Sequence, residues 1–188
     1  MHKRPPLADE SAYRPFPDES GRNWRQEHLE IPLMLGALNL PRGGRVLEVG
    51  CGRGIALGAL ARRLAPARLA GVDVDAALLK IAKRHVRWGN VLADLVVADV
   101  RDLPFPAGDF DVVIDFGTCF HIAQPEAALR EIARVIALGG IFVTEMKLSQ
   151  VLAHPIRTRG RTLPWKVVPM LAPLRRALLW ESRRRVAL

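Results

Sequence analysis

Glycines at 50, 52 and 54, with a carboxylate two residues before the first of them, carry the first sign of chemistry in this chain. Residues 45–54 read RVLEVGCGRG. Val46, Leu47 and Val49 make the branched apolar run of a buried parallel strand, and the run stops at the glycines. Glycine allows backbone angles that a side chain forbids and lets a ligand approach the main chain closely. Residues 55–64 follow with Leu57, Leu60, Ala61 and Leu64 at helical spacing. The unit is therefore strand, glycine loop, helix, with the helix's free N–H groups pointing into the loop. That arrangement binds nucleotides and related cofactors at the carboxyl ends of strands. A plain packing turn between strand and helix would satisfy the same short motif. The dinucleotide fingerprint G-x-G-x-x-G asks for a third glycine at 55, where Ile55 stands.

Three more acids fall at the ends of apolar runs. RLAGVDV (68–74) reads as a second strand, with Asp73 near its end and Val74 after it. An acid there accepts hydrogen bonds from ribose hydroxyls in nucleotide-type folds. The competing role is capping of the next helix, for which Asp75 is better placed. Residues 91–98 read as a third strand, followed by Asp99 and Val100. Asp99 could be a turn-forming aspartate, although Asp102 suits that role better. FDVVIDF (110–116) reads as a fourth strand whose last residues, Asp115 and Phe116, face the same crevice as the glycine loop. The stretch after it, GTCFHI (117–122), runs along the substrate side. His121 is the candidate general base there, because a neutral imidazole takes a proton near pH 7. Ordering its own loop by hydrogen bonding is an equal alternative. Cys119 has no activating pair in the sequence that would make it a nucleophile.

The elements that hold these residues follow from the pattern. At 188 residues the chain is long enough for one domain with a real core. Residues 1–22 read as a loose N-terminal arm and 23–188 as one domain, with a core at 41–147 and a basic extension at 148–188. Residues 23–40 read as a helix that begins or kinks at Pro32. Tyr13, Trp24, Arg25 and His28 could wall or lid the crevice. Leu78, Ile81, Ala82, His85 and Val86 mark a helix after the second strand, with His85 a half-buried packing residue. Pro125 opens another helix, Gly139 closes it, and residues 141–145 form a fifth strand, with Glu145 and Lys147 at its crevice end. The charge is uneven: residues 1–150 hold 19 Lys and Arg against 18 acids, whereas residues 151–188 hold nine against one. Such a tail admits a peripheral membrane or other anionic contact, or a merely solvated surface. No apolar run reaches the ~20 residues of a spanning helix, and no secretory h-region is visible. Cytoplasm is the expected compartment. The two cysteines, Cys51 and Cys119, suggest neither a disulfide framework nor a metal site, and no obligate protein partner is evident.

An acid in the strand end followed by G-x-G-x-G resembles motif I of the Rossmann-like, class I S-adenosylmethionine-dependent methyltransferases. ADVRDLPF, then DFDVVIDFG, then PEAALREIARVIALGGIFVT resemble that family's later motifs in order and spacing. The resemblance covers roughly residues 30–147 and lies with the small-molecule branch called type 11. It implies an α/β fold with a doubly wound, mostly parallel sheet. It implies S-adenosylmethionine as cofactor, held by Glu48, Gly50, Cys51, Gly52, Gly54, Asp73, Val74, Asp99, Val100, Asp115 and Phe116. Asp99 would take the adenine amino group and the Val100 N–H a ring nitrogen. In-line methyl transfer to a small, lipophilic acceptor is the implied reaction, and it needs chiefly positioning. TEMKLSQ is loosely similar to the ubiquinone and menaquinone biosynthesis methyltransferases. Leu138 stands where the family commonly has proline.

The chain departs from the family at its end, where 41 residues with four prolines follow Lys147. A shortened or rearranged sheet edge is expected, and residues 175–185 read equally as a final strand or a basic amphipathic helix. A basic helix with Trp180 at its rim would suit a membrane surface; the alternative is that Trp165 and Trp180 simply cover that edge. Three alternatives remain beside the leading one. A nucleic-acid methyltransferase would use the basic tail, but DFGT stands where the N/D-P-P-Y/F tetrad would fall. A non-catalytic S-adenosylmethionine-binding module would explain the short C-terminus. An NAD-dependent dehydrogenase is disfavoured by Ile55.

Overall fold

The computed structural model describes residues 23–24, 26–119, 122–147, 166–169 and 175–181. Its centre is the strand that leads into the glycines. β1 (Arg45–Val49) lies between β2 (Arg68–Asp73) and β4 (Phe110–Asp115), parallel to both. β3 (Asp94–Val97) extends the sheet beside β2, and β5 (Ile136–Lys147) extends it beside β4, again parallel. Every crossover between these strands carries a helix or a long loop, so their carboxyl ends gather on one side.

Two further strands complete the edge. β6 (Lys166–Pro169) and β7 (Arg175–Glu181) are antiparallel to each other, and β7 is antiparallel to β5. The order is β3-β2-β1-β4-β5-β7-β6. The edge expected to be shortened or rearranged thus holds a pair of antiparallel strands. The choice left open for residues 175–185 falls to strand over Arg175–Glu181. Residues 1–22 and 148–165 lie outside the described residues.

The two faces of β1 set the layers, because successive side chains point to opposite sides. Val46 joins one core cluster with α1 (Ile31–Ala37), α2 (Ile55–Leu64) and the Val86 end of α3 (Ala76–Trp88). Leu47 and Val49 join the other, against α4 (Pro125–Val135) through Ala128, Ile132 and Val135. β1 and β4 are therefore covered on both faces, which is why each reads as a continuous apolar run.

The N-terminal helix is broken where proline demands it. Gln26–Glu30 forms a π-helical turn, and α1 begins at Ile31 with Pro32 in its first turn. Pro32 has no N–H to donate back along the helix, so a wider turn before it is the consistent solution. α4 also stops earlier than Gly139 suggests. Ile136 turns to extended backbone, pairs with Phe110, and packs into the second cluster. The register then shifts before Val112 meets Ile141, and Gly139, at φ +82°, sits in that irregular stretch rather than at a helix end. β3 is shorter than residues 91–98.

Candidate functional site

The crevice lies where β1, β2, β3 and β4 end. Gly50, Val72 and Asp73 line one part of it, and Ala98, Asp99 and Val100 another. Val74, 48% exposed, also lines it. Thr118 and Ile122 close the side beyond β4.

The glycine loop is shaped by real constraints. Gly50, Gly52 and Gly54 all have positive φ, at +64°, +52° and +75°. A Cβ on Gly50 would stand 1.7 Å from the Thr118 hydroxyl oxygen, so a side chain has no room there. On Gly52 it would meet nothing within 4 Å, because that position opens onto free space. The Cys51 N–H donates to the Val72 carbonyl at 2.9 Å, which ties the loop to β2. No side chain caps α2, so the N–H groups of its first turn remain for a ligand or water.

Glu48 lies buried beneath this loop. Its Oε2 has no hydrogen-bond partner, and it is the only buried side-chain polar atom so left among the described residues. Burial, then the nearby charges of Asp73 and Asp115, raise its carboxyl well above the ordinary range. A buried, unpaired carboxylate is costly, so the arrangement waits for a cation or a donor.

Asp73 holds the loop. One carboxylate oxygen accepts the Gly52 N–H at 2.7 Å, and the other accepts the Asp75 N–H at 2.9 Å. Burial raises its pKa, while these backbone bonds work against the rise. Each oxygen keeps a second lone pair, so ribose hydroxyls can still be accepted. The capping role belongs to Asp75, which accepts from the N–H groups of Ala77 and Leu78.

The turn after β3 corrects one assignment. Asp99, and not Asp102, accepts the turn's backbone N–H, that of Arg101, at 2.8 Å. Asp99 precedes the residue whose N–H must be redirected, and its buried carboxylate is also gripped by the Arg101 guanidinium at 2.7 Å. Arg101 reaches on to the Ala123 carbonyl at 3.4 Å. Asp99 is thereby joined to the segment that follows Ile122.

Asp115 is placed differently from a ligand-facing acid. It is fully buried, and its carboxylate accepts from the N–H groups of Gly117, Thr118 and Cys119 and from the Thr144 hydroxyl. Burial raises its pKa despite these bonds. It serves the crevice through the loop it folds, which carries Thr118 against Gly50. Cys51 likewise turns its side chain away, into a small cluster with Leu79 and Ala82, and burial pushes its thiol far up. Burial also pushes up the Cys119 thiol. Phe116 packs against the α1–α2 cluster. Thr118, Val72 and Ala98 were not singled out by the sequence. A threonine in GTCF carries no motif, and its role depends on a contact 69 residues away, with the Val49 carbonyl.

Among the remaining candidates, His121, Tyr13 and Arg25 lie outside the described residues, as do the side chains of Glu145 and Lys147. Trp24 and His28 stack on each other, with ring centroids 5.1 Å apart, away from the lining of the crevice. His85 is half-buried and faces Glu27 at 3.6 Å.

The parallel strand order, the glycine loop and the acids at successive strand ends define a class I, S-adenosylmethionine-dependent methyltransferase. A family model described as "Methyltransferase domain" matches residues 47–144, and the chain belongs to that family. It is 36% identical over 101 residues to the fatty-acid O-methyltransferase of Mycolicibacterium smegmatis, covering 54% of this chain and 36% of that one. It is 32% identical over 143 residues to the phosphatidylethanolamine N-methyltransferase of Cereibacter sphaeroides, covering 75% of this chain and 64% of that one. The chain therefore spans less than two thirds of the length of either. A solved structure of an S-adenosylmethionine-dependent methyltransferase from Aquifex aeolicus superimposes with a TM-score of 0.70 over 89% of this chain and 94% of that one, at 16% identity. At that identity the likeness shows the fold alone.

S-adenosylmethionine is the family's cofactor, and the residues present fit it. The unpartnered Glu48 oxygen suits its cationic amino acid end, and the open space at Gly52 suits a ligand lying along the loop. Among the described residues no helix is long and apolar enough to cross a membrane.

Proposed function

We propose that this chain transfers a methyl group from S-adenosylmethionine to a small, lipophilic acceptor. The observation that carries the reading is Glu48, a buried carboxylate with an unpaired oxygen under a glycine loop that a side chain cannot enter at Gly50. When bound, the cofactor supplies an electrophilic methyl on a sulfonium. Glu48 holds the ammonium end, Asp73 accepts from the ribose, and Asp99 with the Val100 N–H receives the adenine edge. Asp115 fixes the loop at 117–119, and Arg101 couples Asp99 to that side of the crevice. These groups position and exclude water, which is the larger share of what an in-line displacement requires. His121 is the residue to take a proton where the acceptor arrives protonated. The relatives named for fatty acid and phosphatidylethanolamine support a lipophilic acceptor, methylated at oxygen or nitrogen.

The test is calorimetric titration with S-adenosylhomocysteine, with NAD as control, followed by methyl transfer from labelled S-adenosylmethionine to fatty acids, phospholipids and quinone precursors. Micromolar binding that Asp73→Ala abolishes, with label entering one acceptor class, is the expected result. A folded chain that binds NAD instead, or neither compound, overturns the reading.

A further inference from the structure

α3 has a second amphipathic character unrelated to the crevice. Its inner face buries Leu79, Ala82 and Val86. Its outer face carries Lys80, Lys83, Arg84 and Arg87, all exposed. That is i, i+3, i+4 and i+7, one stripe along the helix. The helix AALLKIAKRHVRW contains no Asp or Glu. Among the described residues no ion pair reaches these four cations. Ordinary solvated helices intersperse the two signs, and this one does not.

The stripe ends in exposed apolar side chains. Trp88 is the last residue of α3 and is 85% exposed, and Leu92, just beyond the closing turn, is 94% exposed. The turn between them is well formed, with the Val91 N–H donating to the Val86 carbonyl at 2.8 Å. The exposure is thus a property of a defined turn. A tryptophan with one apolar body and one N–H suits the boundary between water and hydrocarbon. Cations in a row beside it suit anionic headgroups. A nucleic acid would also attract the cations, and could stack on Trp88. It offers Leu92 no comparable partner, whereas acyl chains do.

We propose that the outer face of α3 docks this protein on an anionic lipid surface, with Lys80, Lys83, Arg84 and Arg87 at the phosphates and with Trp88 and Leu92 at the acyl boundary. The inference does not rest on the identity of the methyl acceptor. Docking through α3 is distinct from any contact made by the basic C-terminal residues.

The full chain is sedimented with vesicles of phosphatidylglycerol in phosphatidylcholine, and with phosphatidylcholine alone. Three variants are compared: Lys80, Lys83, Arg84 and Arg87 all to Gln; Trp88→Ala with Leu92→Ser; and Arg183, Arg184 and Arg185 all to Gln. The expected result is binding to the anionic vesicles only, weakened about tenfold or more by the α3 charge variant. The Trp88 and Leu92 variant should weaken binding too, including at a salt concentration that screens the charges. The α3 variants should still bind S-adenosylhomocysteine, since none of these residues lines the crevice. Vesicle binding that survives the α3 charge variant, or that is lost only in the 183–185 variant, overturns the proposal. So does α3-dependent binding to homopolymeric RNA at salt that releases the vesicles.

Discussion

Glu48 shows how one residue can be costly to the fold and necessary to the site. Burial lifts its carboxyl well above the ordinary value, which is about 4.3 in an unfolded chain. The folded state therefore holds the proton more tightly. This carboxyl favours folding fully below its unfolded pKa, and that contribution is lost as pH rises toward the folded one. Glu48→Gln removes the titration. Without cofactor, its melting temperature should exceed the wild type's near pH 8, and the gap should close toward pH 4. Binding of S-adenosylhomocysteine should weaken at least tenfold in the same variant, because an amide gives no charge to the ammonium. Thermal melts across pH with parallel titrations check both. Equal melting temperatures at high pH would mean that Glu48 is not held in an unfavourable charged state. The glycines divide in the same way. Gly50→Ala places a Cβ on the Thr118 hydroxyl and should leave little folded protein. Gly52→Ala meets no clash but carries a side chain at φ +52°, so it should fold at a cost of about 1–2 kcal/mol and lose cofactor affinity. Circular dichroism and titration separate the two outcomes.

Elements position the acids, and the pair Asp73 and Asp75 tests how. Asp75 caps α3 through two backbone N–H groups, and Asp75→Ala should cost about 1 kcal/mol of stability with cofactor affinity kept. Asp73→Ala frees the Gly52 N–H and with it the loop, so affinity should be lost beyond what a missing ribose contact explains. A Gly52 amide that exchanges hydrogen no faster in Asp73→Ala would refute the loop-holding role. Much of this layer was legible in the sequence. α2 was read at its observed bounds from Leu57, Leu60 and Leu64, because a buried helix after a buried strand leaves a clear period. Pro125 marked the start of α4 through its fixed φ. What escaped reading came from contacts between distant segments. Asp115 looked like a crevice acid because it ends β4, but Thr144 and the 117–119 amides claim it. Asp99 rather than Asp102 makes the turn because Arg101 folds back on it. The early end of α4 reflects the pairing of Ile136 with Phe110, and helix signals alone do not carry that.

At the scale of the molecule, the C-terminal strands decide whether β5 is an interior strand or an edge. β7 pairs with β5 over seven positions, from Ile141 opposite Glu181 to Lys147 opposite Arg175. The residues expected to be an appended basic extension therefore supply part of the sheet that carries the crevice. Thr144, which bonds Asp115, lies inside that paired stretch, so losing β7 would act on the 117–119 loop as well as on solubility. A chain ending at Lys147 leaves Ile141–Lys147 with unpaired N–H and C=O groups along one side, a template for association. It also discards most of the net positive charge, and a chain near neutrality associates more readily. The two causes can be separated. Arg183, Arg184 and Arg185 changed together to Gln lower the charge while keeping both strands. The truncated chain should elute as aggregate in size-exclusion chromatography, whereas the triple variant should stay monodisperse and bind S-adenosylhomocysteine. Aggregation of both would assign the effect to charge. A truncated chain that stays monodisperse with cofactor affinity intact would show that β5 tolerates an open edge and that the last two strands are dispensable to the site.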